Sequence, residues 1–269
     1  YHLGWAELGC GNANAAAQQF GLVAATLPAS ALLVPRALAR FESGDHSGLR
    51  TWLQDMADDR AFAETEALHE VRRMQASLEL LTGHPEAAAA WMLRDLAWIL
   101  EQPSRLDTRA GEIAEVGEVL VRLGHGARLR PMLASMQALK PDPAIADAVA
   151  YVSGLVEIHA AGRPIPELAE GLRNRGVGVW GDLLDAYGCH VQGKLAGERA
   201  ALAQAAKSSS SPLVKAALQR NLRHAGNTAE ADALRAAMQR EMKALDLRSK
   251  SQHPLLGPEL AFAWLADGP

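Results

Sequence analysis

Seven glycines set the organisation of this chain. Gly11, Gly44, Gly83, Gly124, Gly162, Gly193 and Gly226 follow one another at separations of 33, 39, 41, 38, 31 and 33 residues. Each sits between two stretches with helical apolar spacing. Glycine closes a helix cheaply because it takes up a left-handed backbone without a Cβ penalty. A helix stop recurring at this interval predicts a string of helical hairpins. One hairpin cannot bury its apolar face alone, so neighbours must stack to build a core.

Composition supports helices over sheets. Apolar residues make up 49% of the 269 residues and aromatics only 5%. Alanine is abundant, whereas the β-branched and aromatic runs that suit strands are scarce. The formal net charge of −4 supplies no global basic field for nucleic acid. No apolar run is expected to reach the roughly 18 to 20 residues that span a bilayer. Two cysteines, Cys10 and Cys189, are too few for a disulfide framework. Two free thiols are expected, which fits the cytoplasm slightly better than the periplasm and decides neither.

The first 28 residues, YHLGWAELGCGNANAAAQQFGLVAATLP, carry the pattern most fully. Gly4 lies twelve residues before Ala16, Phe20 four after it, and Pro28 eight after Phe20. Small residues at 4 and 16 let two short helices approach closely. Phe20 is expected to fill the gap towards the next pair, and Pro28 to end the second helix. This stretch resembles a tetratricopeptide repeat, whose pattern runs Leu-Gly, Ala-x3-Phe, then Pro over about 34 residues. The departures are Glu7, where an aromatic belongs, and a Trp slot that would precede Tyr1. A start without Met inside a repeat reads as a piece of a longer protein.

Weaker copies follow. The expected repeats cover residues 1–28, 30–58, 62–101, 108–140, 142–175, 179–207 and 212–246, with a capping helix at 257–266. The fourth and seventh are clearest after the first: Pro141 falls 17 residues after Gly124, as Pro28 does after Gly11. The resemblance implies an all-α, right-handed α-solenoid of about seven hairpins, continuous over 1–269. Phe262, Trp264 and Leu265 are expected to cover its last apolar face, formed by Ala231, Leu234 and Met238.

Motifs of catalysis and metal binding are missing. The chain contains no HExxH, no paired CxxC, no GxSxG and no P-loop. Cys189 and His190 are adjacent, which points them to different faces of a helix. The sequence therefore calls for no cofactor, no metal and no enzyme. Arg72-Arg73 and Arg128–Arg130 read as solvated helix faces rather than phosphate sites.

In the tetratricopeptide family the first helices of successive pairs line a concave surface. Taking the first repeat as ruler, one concave slot holds His159, His190 and Arg223 in three successive units. The slot three residues earlier holds Val156, Tyr187 and Arg220, with Trp180 seven before Tyr187. Two readings stand: a ligand wall, or packing aromatics with exposed cations beside them. The Lys and Asn clamp that some family members use for a C-terminal carboxylate finds no match at Tyr1, Trp5, Val34, Leu38 and Arg73. The resemblance implies a non-catalytic scaffold for a protein or peptide, an acidic one given these cations. A second copy of the chain is a further candidate partner. The alternative is a sensor or regulatory portion of a bacterial signalling protein, such as a membrane-anchored kinase or a winged-helix regulator. A hydrolase or transferase on a helical toroid is disfavoured, because no acid pair converges.

Overall fold

All seven turn glycines take positive φ, between 65° and 86°, each between the two helices of a pair. The computed structural model describes residues 1–59, 65–101, 109–139, 141–209, 211–243 and 253–264. Among them every regular element is helical and no strand occurs. The pairs are α1 (His2–Gly9) with α2 (Ala13–Leu22), α3 (Ala29–Glu42) with α4 (His46–Asp58), and α5 (Glu66–Leu81) with α6 (Pro85–Leu100). Then come α7 (Ala110–Arg122) with α8 (Gly126–Ala138), α9 (Pro143–Ala161) with α10 (Pro166–Asn174), α11 (Gly178–Val191) with α12 (Leu195–Ser208), and α13 (Pro212–His224) with α14 (Thr228–Lys243). A short 3-10 turn, η1 (Pro254–Leu256), precedes α15 (Pro258–Trp264). An eighth left-handed glycine, Gly176, joins α10 to α11 and was not among the expected stops.

The chain forms two compact units. Unit 1 comprises Tyr1–Trp91 and Arg240–Ala261, and unit 2 comprises Met92–Gln239 and Phe262–Pro269.

In unit 1 the small residues act as expected. Ala16 is fully buried, and a Cβ placed on Gly4 would lie 2.6 Å from the Phe20 ring. That ring therefore fills its own hairpin as well, edge-on to Trp5 at 5.6 Å. The α2 helix packs on α3, and α4 on α5. Phe20, Leu33, Leu38, Leu49, Leu53 and Leu78 form one core with no exposed surface. Asp45 caps α4 by accepting from the Gly48 amide at 3.0 Å, which satisfies a donor the helix leaves unpaired.

The tail contributes to both units. Residues 253–259 pack in unit 1, where η1 lies on α3 and α5. Leu255 is fully buried in the core with Trp5, Leu33 and Met74. The buried His253 faces Glu42, Nε2 to Oε1 at 2.8 Å, and its Nδ1 accepts from the Leu255 amide at 3.1 Å. An acceptor at Nδ1 leaves Nε2 as the donor to the carboxylate. Arg73 donates to Glu259 at 2.6 Å. These polar anchors, absent from a simple apolar cap, select α3 and α5. Phe262 lies in unit 2, under the Arg220 guanidinium. The remaining cap residue Leu265 and the side chain of Trp264 lie outside the described residues.

Unit 2 repeats the close-approach device. Cβ atoms added at Gly117, Gly154 and Gly181 would lie 2.6 Å from Val152, 2.7 Å from Leu168 and 2.5 Å from the Ala169 carbonyl oxygen. These contacts bring α7 to α9, α9 to α10 and α10 to α11. Helix α9 also corrects the apolar-run reading: its 19 residues are long and apolar enough to cross a membrane. In unit 2, however, it packs against α7, α8 and α11, with Ile145, Val149, Val152 and Leu155 buried. Its buried Asp147 accepts from Arg175. This is the packing of a core helix.

Candidate functional site

The first helices α7, α9 and α11 of unit 2 carry a connected set of polar and aromatic side chains. It starts from one buried carboxylate. Glu118 on α7 is 3% exposed, so its charge must be met from within. Arg122, one turn later, donates from Nε to Oε1 at 2.9 Å, and the Tyr151 hydroxyl of α9 donates to Oε2 at 2.7 Å. Burial works to lower the Arg122 pKa, but the charge and hydrogen bond of Glu118 outweigh it and hold the guanidinium above its ordinary value. The Tyr151 phenol is pushed well above its usual value, by burial first and by Glu118 second.

The predicted site residues attach to this centre in two places. Arg122 lies over the Tyr187 ring of α11, its guanidinium carbon 5.3 Å from the centroid. The imidazoles of His159 and His190 run nearly parallel to that ring, at 6.5 Å and 6.1 Å. The His159 Nδ1 and the Tyr187 hydroxyl share a hydrogen bond of 2.9 Å. His190 Nδ1 sits 3.1 Å from Oε1 of Glu198 on α12, whose other oxygen accepts from Asn221 of α13 at 2.9 Å. Burial opposes ionisation of Glu198, yet its bonds to His190 and Asn221 bring its pKa below the usual carboxylate value. Trp180 stacks on Tyr151 at 5.8 Å.

The structure thus brings His159, Tyr187 and His190 into one stack, with Trp180 linked through Tyr151, Glu118 and Arg122. The two arginines of the expected wall are engaged elsewhere. Arg223 donates to Asp232 of its own hairpin partner at 2.8 Å, and Arg220 lies over Phe262 at 5.9 Å. Tyr187 is buried, whereas both imidazoles are exposed. A buried ring thus lies parallel to two exposed imidazoles.

Sequence reasoning missed Glu118, Arg122, Tyr151, Glu198 and Asn221. A signal existed for the first. Glu118 interrupts the run Val116 to Val121, where its neighbours Val119 and Leu120 are fully buried. A carboxylate in such a run requires a partner, and Arg122 is four residues on, within helical reach. The Cys189 thiol is pushed up by burial and by Asp185, against formation of a thiolate.

The raised Tyr151 pKa makes stability depend on pH at the alkaline end. Its folded value lies above its unfolded value of about 10. Stability from the neutral phenol is therefore fully present below that pH and is lost as pH rises through the folded value. Urea unfolding between pH 8 and 11 should show a steeper loss for the parent than for Tyr151→Phe. At pH 8 that variant should itself be less stable by about 1.5–3 kcal/mol, the worth of a bond to a charged acceptor. Equal slopes for the two proteins would remove Tyr151 from the titration.

Comparisons of the chain with protein-family models, with curated proteins and with solved structures returned no match.

Proposed function

We propose that the chain is a non-catalytic recognition scaffold of the tetratricopeptide type. Hairpins within each unit then stack as in a right-handed α-solenoid, and the first helices of unit 2 receive an acidic segment of a protein or peptide. One observation carries this reading: the exposed His159 and His190 are held parallel to a buried Tyr187 beside Arg122. Groups ordered before binding cost little entropy when a ligand arrives. Imidazole N–H groups suit carboxylate oxygens, and charge-assisted bonds of this kind are the strong ones.

Selection of random displayed peptides on the purified chain tests it. Acidic sequences should be enriched. Their affinity should fall about tenfold against the His159→Ala, His190→Ala double variant, a loss of roughly 1.4 kcal/mol. Enrichment of neutral or basic peptides, or equal binding by parent and variant, would sink the reading.

A further inference from the structure

Unit 1 contains a cavity of about 380 Å³. Its walls come from Tyr1, just before α1, from α1 through Trp5, from α3 through Ser30 and Pro35, from α5 through Met74 and from η1 through Leu256. Such apolar and aromatic lining with few polar groups is the usual make-up of a small-molecule site, and the volume is in the usual range. One charged side chain lines it, that of Glu70 on α5. Among the described residues no hydrogen bond or ion pair engages the Glu70 carboxylate.

This combination discriminates between ligand classes. An anion would be repelled by the carboxylate. A neutral apolar molecule would strip water from that carboxylate and return nothing. An ammonium both pairs with the carboxylate and is attracted by the faces of tyrosine and tryptophan. We propose that this cavity binds a small organic ammonium, its head against Glu70 and its apolar body among Tyr1, Trp5, Pro35 and Met74. Partial burial raises the Glu70 pKa, opposed by His69 and reinforced by Glu66. The proposal stands whether or not unit 2 binds peptides.

Isothermal titration at pH 7.5 with three probes of one shape tests it: 2-phenylethylammonium, neutral 2-phenylethanol and anionic 3-phenylpropionate. The ammonium should bind at least about tenfold tighter than the alcohol, and the carboxylate should not bind. Glu70→Gln should lose about tenfold for the ammonium and leave the alcohol unchanged. Glu70 is exposed at the rim, so this variant should fold as the parent does, with circular dichroism as the check. Val34→Trp, which crowds the cavity from α3, should abolish binding of both. The proposal is overturned if the alcohol matches the ammonium, if Glu70→Gln binds the ammonium as the parent does, or if no probe binds at millimolar concentration.

Discussion

Glu118→Ala is expected to destabilise unit 2 by about 3–5 kcal/mol, the cost of leaving one member of a buried ion pair uncompensated. The estimate rests on the near-complete burial of Glu118 and on its two partners, Arg122 and Tyr151. Removing the carboxylate strands a guanidinium that has 16% of its side-chain surface exposed. It also leaves a buried phenol without its acceptor. Urea unfolding followed by circular dichroism reads the loss. A second variant separates the pair from the site: Glu118→Leu with Arg122→Met removes both charges and should recover most of the loss, because apolar replacement of a buried pair is often close to neutral. A single-variant cost below about 1 kcal/mol would mean that water reaches the pair.

Phe20→Ala should cost a similar amount, about 3–5 kcal/mol, in unit 1. The Phe20 ring has no exposed surface and lies against Gly4, which offers no side chain to fill the gap. The helices around it belong to one connected core, so inward collapse is limited and a cavity remains. Leu22→Ala on the same helix is the control. Leu22 is 75% exposed, and a surface truncation of this kind stays within about 0.5 kcal/mol. Thermal unfolding of the two variants should differ clearly. If they melt alike, the phasing of the first hairpin is wrong.

What could be read beforehand was local. A left-handed turn is decided by a few consecutive residues, so Gly11, Gly44, Gly83, Gly124, Gly162, Gly193 and Gly226 revealed the hairpins. Close helix approach needs small residues, so Gly4 and Ala16 revealed the first contact. The Glu118 centre was harder, because Glu and Arg at i and i+4 look alike on a wet surface and in a core. Tyr151, the partner that tells the two apart, is 33 residues away. The destination of the tail was harder still. His253 and Glu42 meet across 211 residues, and no spacing rule relates them. Of the site, the stack of His159, Tyr187 and His190 could be inferred from repeat slots. The engagement of Arg223 by Asp232 could not, because an exposed aspartate carries no sign of its partner.

The return of Leu255 to the core of Trp5, Leu33 and Met74 bears on synthesis. A ribosome finishes Trp91 long before it reaches Leu255, and at elongation rates of about 5–20 residues per second the delay is roughly 10–30 s. During that interval the nascent N-terminal hairpins present the apolar site that Leu255 will fill. The buried anchor His253 and the ion pair of Arg73 with Glu259 are delayed with it. Unit 1 is therefore completed only after most of unit 2 has been made, although most of it emerges first. A stalled or truncated translation product would display an open apolar face for chaperones or proteases to find.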